Sequence, residues 1–200
     1  DFCLSRGLGD VYKRQRGLHG PPYVQMGLAG RRWRVSAQSF FQVNSAVAEA
    51  LAAAVLAYAP NNGRVLDLFT GVGIFGLLAS DTAGQVVGVE NSVPAVADAE
   101  ANRAEAAADN VRFELMDVGA AGALAAERWD LAILDPPRAG CPKGMVEALN
   151  AERLVYVSCD PSTLARDVKV LTGRGYRLES AQLFDMFPQT GHVEVLAVFG

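Results

Sequence analysis

Val65-Leu66-Asp67-Leu68-Phe69-Thr70-Gly71-Val72-Gly73-Ile74-Phe75-Gly76 is the stretch that decides the fold. Its first five residues have the apolar, β-branched character of a buried strand. Three glycines follow, and Ile74-Phe75 opens an apolar helical pattern. A glycine turn between a strand and a helix lets a ligand come close to the backbone. The spacing Gly71, Gly73, Gly76 formally fits the dinucleotide fingerprint. Glu90 ends the next apolar run, where a ribose-binding acid would sit. Spacing alone does not choose the ligand, because several nucleotide-like cofactors use such a turn.

Downstream, strand-length apolar runs fall at 64–69, 85–90, 111–116, 129–135 and 154–158. Helix-like segments at 74–80, 93–108, 120–126, 143–149 and 161–173 lie between and after them. This alternation predicts a mostly parallel sheet covered on both faces. Two further runs, 176–187 and 192–199, are joined only by Pro188-Gln189-Thr190-Gly191, and so short a link requires an antiparallel pair. Five βα units closed by a hairpin is the order of the class I S-adenosylmethionine (SAM) methyltransferase fold. The expected fold class is therefore α/β and Rossmann-like, with a mostly parallel seven-stranded sheet ending in an antiparallel hairpin.

Upstream, 44–58 reads as a helix stopped by Pro60 and Asn61-Asn62-Gly63. Its apolar run, 46–59, is shorter than the roughly 20 residues a membrane-spanning helix needs. Residues 17–39 read as a connecting segment with a turn at 27–30 and a short strand at 31–35. Residues 1–16 share no pattern with the rest. Gly9-Asp10-Val11-Tyr12-Lys13-Arg14-Gln15 resembles a translated sequencing adapter, so 1–16 is expected to be a non-native leader, or else a disordered N-terminus. The expected functional domain is 40–200.

Half of the 200 residues are hydrophobic and 20% are charged, which excludes a mostly disordered chain. The net charge of −4 argues against a stand-alone nucleic-acid binder. The first 15 residues carry Arg6, Lys13 and Arg14 against Asp1 and Asp10, so setting them aside makes the remainder more acidic. Three cysteines, Cys3, Cys141 and Cys159, form neither a disulfide framework nor a zinc pattern, and suit a reducing, cytoplasmic setting. No metal is expected.

Asp67 lies inside an apolar strand, which is costly unless the carboxylate is hydrogen-bonded. There it would repel a dinucleotide phosphate, but it tolerates the cationic sulfonium and amino group of SAM. SAM is therefore favoured over NAD. The plain alternative for Asp67 is a buried acid capping loop amides. Glu90 is placed for ribose hydroxyls, or for the N-terminus of the next helix. Asp117 ends the third run as a neighbour of the adenine, or as a helix cap. The fourth run ends Asp135-Pro136-Pro137-Arg138, an acid followed by a rigid, extended loop. Arg138 suits an anionic partner.

The fifth run ends Ser158-Cys159-Asp160-Pro161, with Asp160 at an N-cap and Pro161 at the first helical position. Cys159 then sits beside a helix N-terminus, whose dipole favours a thiolate while the charge of Asp160 opposes it, so that ionisation is only plausible. An inert buried cysteine is the alternative. In the last run His192 and Glu194 share one face and Val193, Val195, Ala197 and Phe199 the other. Because that strand runs against the rest, its start falls at the carboxyl edge of the sheet. Asp67, Glu90, Asp117, Asp135, Cys159 and Glu194 then converge on the edge where ligands bind in open α/β sheets.

A thiol and a carboxylate beside SAM suit methylation of a pyrimidine carbon. C5 of uracil is a poor nucleophile until a thiolate adds at C6, and a base must then remove the C5 proton. Cys159 fits the nucleophile and Glu194 the base. Two alternatives stay open: a SAM methyltransferase acting on another base or an amine with Cys159 incidental, and a non-catalytic SAM- or RNA-binding fragment.

The chain resembles the RNA 5-methyluridine methyltransferases, which act on tRNA or 23S rRNA. The resemblance is carried by Phe41-Gln42-Val43-Asn44, by Asp67 to Gly73, by Asp135-Pro136-Pro137-Arg138, by Val157 through Asp167, and by Phe187 through Glu194. It implies Cys159 as nucleophile, Glu194 as proton acceptor, SAM as cofactor and RNA as partner. It also implies that Gln42, Phe69, Glu90, Asp117 and Asp135 line the cofactor site. For Gln42 the plain alternative is a polar residue at a helix start, and for Phe69 it is core packing. Ile74 and Thr70 depart from the asparagine and cysteine common in relatives. The family's N-terminal RNA-binding parts and the iron–sulfur cysteines of some members are not found, and an RNA-binding domain is expected to be missing.

Overall fold

The structure, a computed structural model, describes residues 20–191 and 193–200. The expected leader, Cys3 and His192 lie outside the described residues. The chain runs β1 (Tyr23–Leu28), β2 (Arg31–Ser36), α1 (Ser45–Leu56), β3 (Arg64–Leu68), α2 (Ile74–Ala79), β4 (Gln85–Glu90), α3 (Val93–Glu105) and β5 (Val111–Leu115). It continues with a 3₁₀ turn (Val118–Ala120), α4 (Gly122–Ala125), β6 (Trp129–Leu134), α5 (Met145–Ala148), β7 (Ala151–Ser158), α6 (Pro161–Gly173), β8 (Leu178–Phe184) and β9 (Glu194–Phe199).

The expected α/β architecture is the one observed. Seven strands form one sheet in the order β5-β4-β3-β6-β7-β9-β8. β3 to β7 are parallel, and β9 inserts between β7 and β8, antiparallel to both. Side chains alternate across the sheet. Val65, Val86, Ile133, Val157 and Leu196 share one core with α1, α2 and the β1–β2 hairpin. Leu66, Val87, Leu134, Tyr156 and Ala197 share the other with α4, α5 and α6.

Local sequence accounts for the helix starts. Asn44 caps α1, its side chain accepting from the Val47 amide, and Ala48, Leu51, Ala52 and Val55 form the buried stripe. Asp160 caps α6, accepting from the amides of Ser162 (2.8 Å) and Thr163 (3.2 Å), with Pro161 next in line. Among the described residues no helix is long and apolar enough to cross a membrane.

Several expected boundaries need correction. Tyr23–Leu28, read as part of a connector, is a strand paired antiparallel with β2. Ala29 (φ +51°) and Gly30 (φ +72°) make the two-residue turn that suits a hairpin. Only Leu28 of β1 is buried, so the strand lacks the alternation that would reveal it. The helix expected at 120–126 is a 3₁₀ turn and a single helical turn, and the one at 143–149 shrinks to Met145–Ala148. β8 is shorter at both ends than 176–187, because the Tyr176 hydroxyl bonds the backbone of Ala151 and Met186 turns into the core. The connection from β8 to β9 is therefore residues 185–193, longer than the four residues expected.

Candidate active site

The three glycines of the first loop have separate reasons. Gly71 (φ +56°) and Gly73 (φ +89°) take left-handed backbone, as does Phe69 (φ +64°). A Cβ on Gly76 would lie 2.9 Å from Asp67 Oδ2, so only glycine lets α2 come this close to β3. Asp67 is fully buried and accepts from the Thr70 hydroxyl (2.5 Å) and the Gly76 amide (2.9 Å), while its Oδ1 has no partner. Burial outweighs these donors and, with the charge of Glu90, pushes its pKa up to about 7. Asp67 thus caps the loop, as the plain alternative expected. Thr70, read only as a departure from relatives, is its partner.

Glu90 clasps the same loop. One carboxylate oxygen accepts from the Gly71 amide (3.1 Å), and the other from the amides of Asn91 (2.9 Å) and Ser92 (2.8 Å) at the start of α3. Each oxygen keeps acceptor capacity for a hydroxyl donor. Asp117 is exposed and accepts from the Gly119 amide (2.8 Å), so the cap reading describes it. The left-handed turn at Phe69 sends its side chain to the core on the far side from Asp67.

Gln42 precedes the Asn44 cap and takes no part in capping α1. Its Oε1 is buried without a hydrogen-bond partner. An orphaned acceptor of this kind asks for a donor from outside the protein.

At the other end of the edge, Ser158 pairs with Val195 in the last pair of the β7–β9 ladder. One step further come Cys159 and Glu194. Cα atoms in such positions lie about 4.5–5.5 Å apart. By alternation, Asp67, Glu90, Asp135, Cys159 and Glu194 all belong to the face that carries Val65, Val86, Ile133, Val157 and Leu196. The expected convergence is therefore present on one face as well as one edge, and Asp117, two residues past the end of β5, lies at the same edge, where its Oδ2 accepts from the side-chain amide of Asn91 (3.5 Å), the residue after Glu90.

The electrostatics oppose ionisation. Asp135 is pushed up to about 8, first by burial and then by the charges of Glu194 and Asp67. Burial raises Glu194, which is 5% exposed. Cys159 is raised by burial and by the carboxylates of Glu194 and Asp135, with Arg138 pulling weakly the other way. The opposition of Asp160 to the helix N-terminus is joined here by burial and by two further carboxylates. Asp160 already occupies the first amides of α6, and two acids face the sulfur. Cys141 is buried, away from this chemistry, with its thiol pushed up to about 12, chiefly by burial. Among the described residues no group of three His, Cys, Asp or Glu side chains is set to hold a metal.

Two polar networks escaped sequence reading. Asp98, fully buried on α3, accepts from Arg34 Nε (2.9 Å), the Ser36 amide (2.7 Å) and hydroxyl (2.8 Å), and the Ser39 hydroxyl (2.7 Å). One turn on, Asn102 accepts from the Arg34 amide (2.7 Å) and donates to the carbonyls of Arg34 (3.2 Å) and Val72 (3.0 Å). Together they fasten the hairpin to the glycine loop. The available signal was a pair of polar residues four apart on the otherwise alanine-rich face of α3. The second network surrounds Asp167, which accepts from Tyr156, Arg166 and the Cys141 amide.

A glycine turn after β3, an acid ending β4 and a seven-stranded sheet with an inserted antiparallel strand define the SAM-methyltransferase fold. Residues 24–199 match the family model described as tRNA (Uracil-5-)-methyltransferase, and the chain belongs to that family. It is 43% identical to the 23S rRNA (uracil(1939)-C(5))-methyltransferase RlmD of Pseudomonas putida, over 99% of this chain and 46% of that protein. The RlmD of Aeromonas hydrophila is 44% identical, over 100% of this chain and 48% of its own length. The chain therefore spans about half the length of the curated relatives it matches. Among solved structures, the Pyrococcus abyssi tRNA (uracil-54, C5)-methyltransferase in complex with S-adenosyl-L-homocysteine superposes with a TM-score of 0.80 at 33% identity. That match covers 90% of this chain and 45% of the other. Trm5b of the same organism, at 16% identity and a TM-score of 0.69, shares the fold.

Proposed function

We propose that this chain carries the catalytic site of a SAM-dependent RNA uracil-C5 methyltransferase acting on tRNA or 23S rRNA. The observation that supports it most directly is the register of β7 and β9, which sets Glu194 opposite Cys159 on one face with Asp135 beside them. Family membership and the relatives' printed activities support the same reading.

In this reading the glycine loop, Glu90 and Gln42 hold the cofactor. The orphaned Oε1 of Gln42 and the spare acceptor capacity of Glu90 fit its amino and hydroxyl donors. Phe69, Asp117 and Asp135 complete the lining that the resemblance implies. SAM, when bound, supplies an electrophilic methyl group for C5. Cys159 releases its proton to solvent and, as thiolate, forms a bond to C6, moving the C5–C6 electron pair toward C5 and the neighbouring carbonyl. Asp135, whose carboxyl is pushed up to about 8 by burial and by the charges of Glu194 and Asp67, donates in its protonated form to a carbonyl oxygen of the base as charge builds there. After C5 has gained the methyl group, Glu194 takes the C5 proton. The C5–H electrons restore the C5–C6 double bond and expel the Cys159 thiolate.

RNA containing 5-fluorouracil tests the scheme. Fluorine at C5 leaves no proton for Glu194, so the protein, SAM and this RNA should accumulate a covalent adduct that resists denaturing electrophoresis. Cys159→Ala should form none. A folded, SAM-binding protein that methylates RNA without trapping such an adduct would make Cys159 incidental. SAM binding with no methyl transfer to any RNA would reduce the chain to a binding module.

A further inference from the structure

Arg166 and Asp167 belong to the motif after Cys159 that carries the family resemblance, yet the mechanism above gives them no task. Asp167 sits in the second turn of α6 and is 3% exposed. Its Oδ2 accepts from the Cys141 amide (3.1 Å) and the Tyr156 hydroxyl (2.7 Å), and its Oδ1 accepts from Arg166 Nε (2.8 Å). Arg166 Nη2 donates to the Cys141 carbonyl (3.3 Å). Both backbone polar groups of Cys141 are thus held from α6. Gly140 (φ +75°) lies under the pair, where a Cβ would come 3.0 Å from Asp167 Oδ2 and 3.1 Å from Thr163 Cβ while striking Arg166 Nη2. The Gly140 amide also donates to the Pro137 carbonyl (2.8 Å), closing the turn that displays Arg138.

These contacts converge on three pieces of the site. Tyr156 lies on β7 three residues before Cys159. α6 begins two residues after Cys159, behind the Asp160 cap. Cys141 lies in the loop that starts at Asp135. The loop has no secondary structure between Asp135 and Gly140 apart from this turn. We infer that Asp167, with Arg166, is a positioning pair that fixes the Asp135–Cys141 loop relative to Cys159, so that Asp135 and Arg138 meet the substrate in one geometry. This rests on the proposed methyltransferase reading. A buried carboxylate that accepts from a tyrosine, an arginine and a backbone amide is rigid in a way that a neutral side chain is not.

The test uses the 200-residue chain as wild type, Asp167→Asn and Arg166→Gln. Arg166 is half-exposed, so its variant folds even if the buried one does not. Hydrogen exchange should quicken at least tenfold at the amides of Gly140 and Cys141 in both variants, while the amides of β6 and β7 keep their protection. In methyl-transfer assays kcat should fall about 10- to 100-fold, the scale of a small misplacement at a reacting centre, with KM for SAM within twofold of wild type. A kcat within twofold of wild type overturns the inference. So does a rise in exchange shared equally by β6 and β7, which would mark a merely structural role. A wild-type chain that transfers no methyl group overturns the functional reading instead, and the exchange result alone then decides the inference.

Discussion

Replacing Asp98 by alanine should loosen the β1–β2 hairpin. The magnitude follows from the four donors it serves. The hydroxyls of Ser36 and Ser39 can rotate to water, so their loss costs little. The Arg34 side chain is one-third exposed, and its lost ion pair is worth about 0.5–1 kcal/mol after screening. The Ser36 amide is fixed by the backbone and cannot turn away. Left unpaired, it costs about 1–3 kcal/mol. The expected loss is about 2–4 kcal/mol, against a total stability of about 5–15 kcal/mol for a domain. Urea unfolding of wild type and variant measures it, and exchange at β1 and β2 shows whether the hairpin opens alone. Burial alone would raise the Asp98 carboxyl, but its donors outweigh burial and hold it below the usual range. This contribution is therefore complete above the unfolded carboxyl pKa and is lost as pH falls through the lower, folded value. The gap between wild type and variant should close in strong acid. A loss under about 1 kcal/mol at neutral pH, with unchanged exchange at β1 and β2, would refute the reasoning.

Cys159 should react with iodoacetamide along a pH profile lying above that of an ordinary thiol, because burial and two carboxylates raise it. In Glu194→Gln the profile should move to lower pH. Mass spectrometry in a Cys3→Ser background reads this site, and identical profiles would count against the assigned electrostatics. Gly88→Ala should lower Tm by several degrees, since its Cβ would meet Phe113 Cδ1 at 2.5 Å and overpacking costs about 1–3 kcal/mol. Phe113→Leu should recover part of that loss, and a double-mutant cycle showing no coupling would sink the explanation. Gln42→Ala should weaken SAM binding about tenfold, the value of one buried hydrogen bond of about 1.4 kcal/mol. Calorimetry giving a Kd within twofold of wild type would remove Gln42 from the cofactor site.

The parts of the fold legible in the sequence are those where one local signal has one physical cause. The glycine loop shows because left-handed backbone and close packing against Asp67 both exclude larger residues. The start of α6 shows because Asp160 and Pro161 are specialised for adjacent positions. β1 does not show, because a hairpin resting on α3 and the edge of a core turns only Leu28 and, in part, Met26 inward. The ionisation state of Cys159 does not show either. The helix N-terminus and its Asp160 cap are visible in sequence, but the burial of the sulfur and the carboxylate delivered from 35 residues away act only in three dimensions. Asp98 and Asp167 look like surface acids on helices until their partners are in place.

The step that makes the site is the insertion of β9 between β7 and β8. Had the last strand run parallel to its neighbours, Glu194 would sit at the amino edge. Five steps of about 3.4 Å would then separate it from the carboxyl edge, roughly 17 Å from the thiol. Running antiparallel, the strand starts where β7 ends, and the register Ser158–Val195 leaves Glu194 opposite Cys159. That register is held by burial. All six residues of β9 are buried, with Val195, Ala197 and Phe199 in one core and Leu196 and Val198 in the other. A slip by one residue would exchange the two sets and turn Glu194 to the opposite face. The irregularity in the β8–β9 ladder lies between Leu178 and Ser180, at the far end of the strand, while Leu183–Val195 and Phe184–Glu194 pair in step. The packing that keeps β9 in the sheet is therefore the same packing that aims its one carboxylate, so the geometry of Cys159 and Glu194 is set by the core and not by the loop that precedes them.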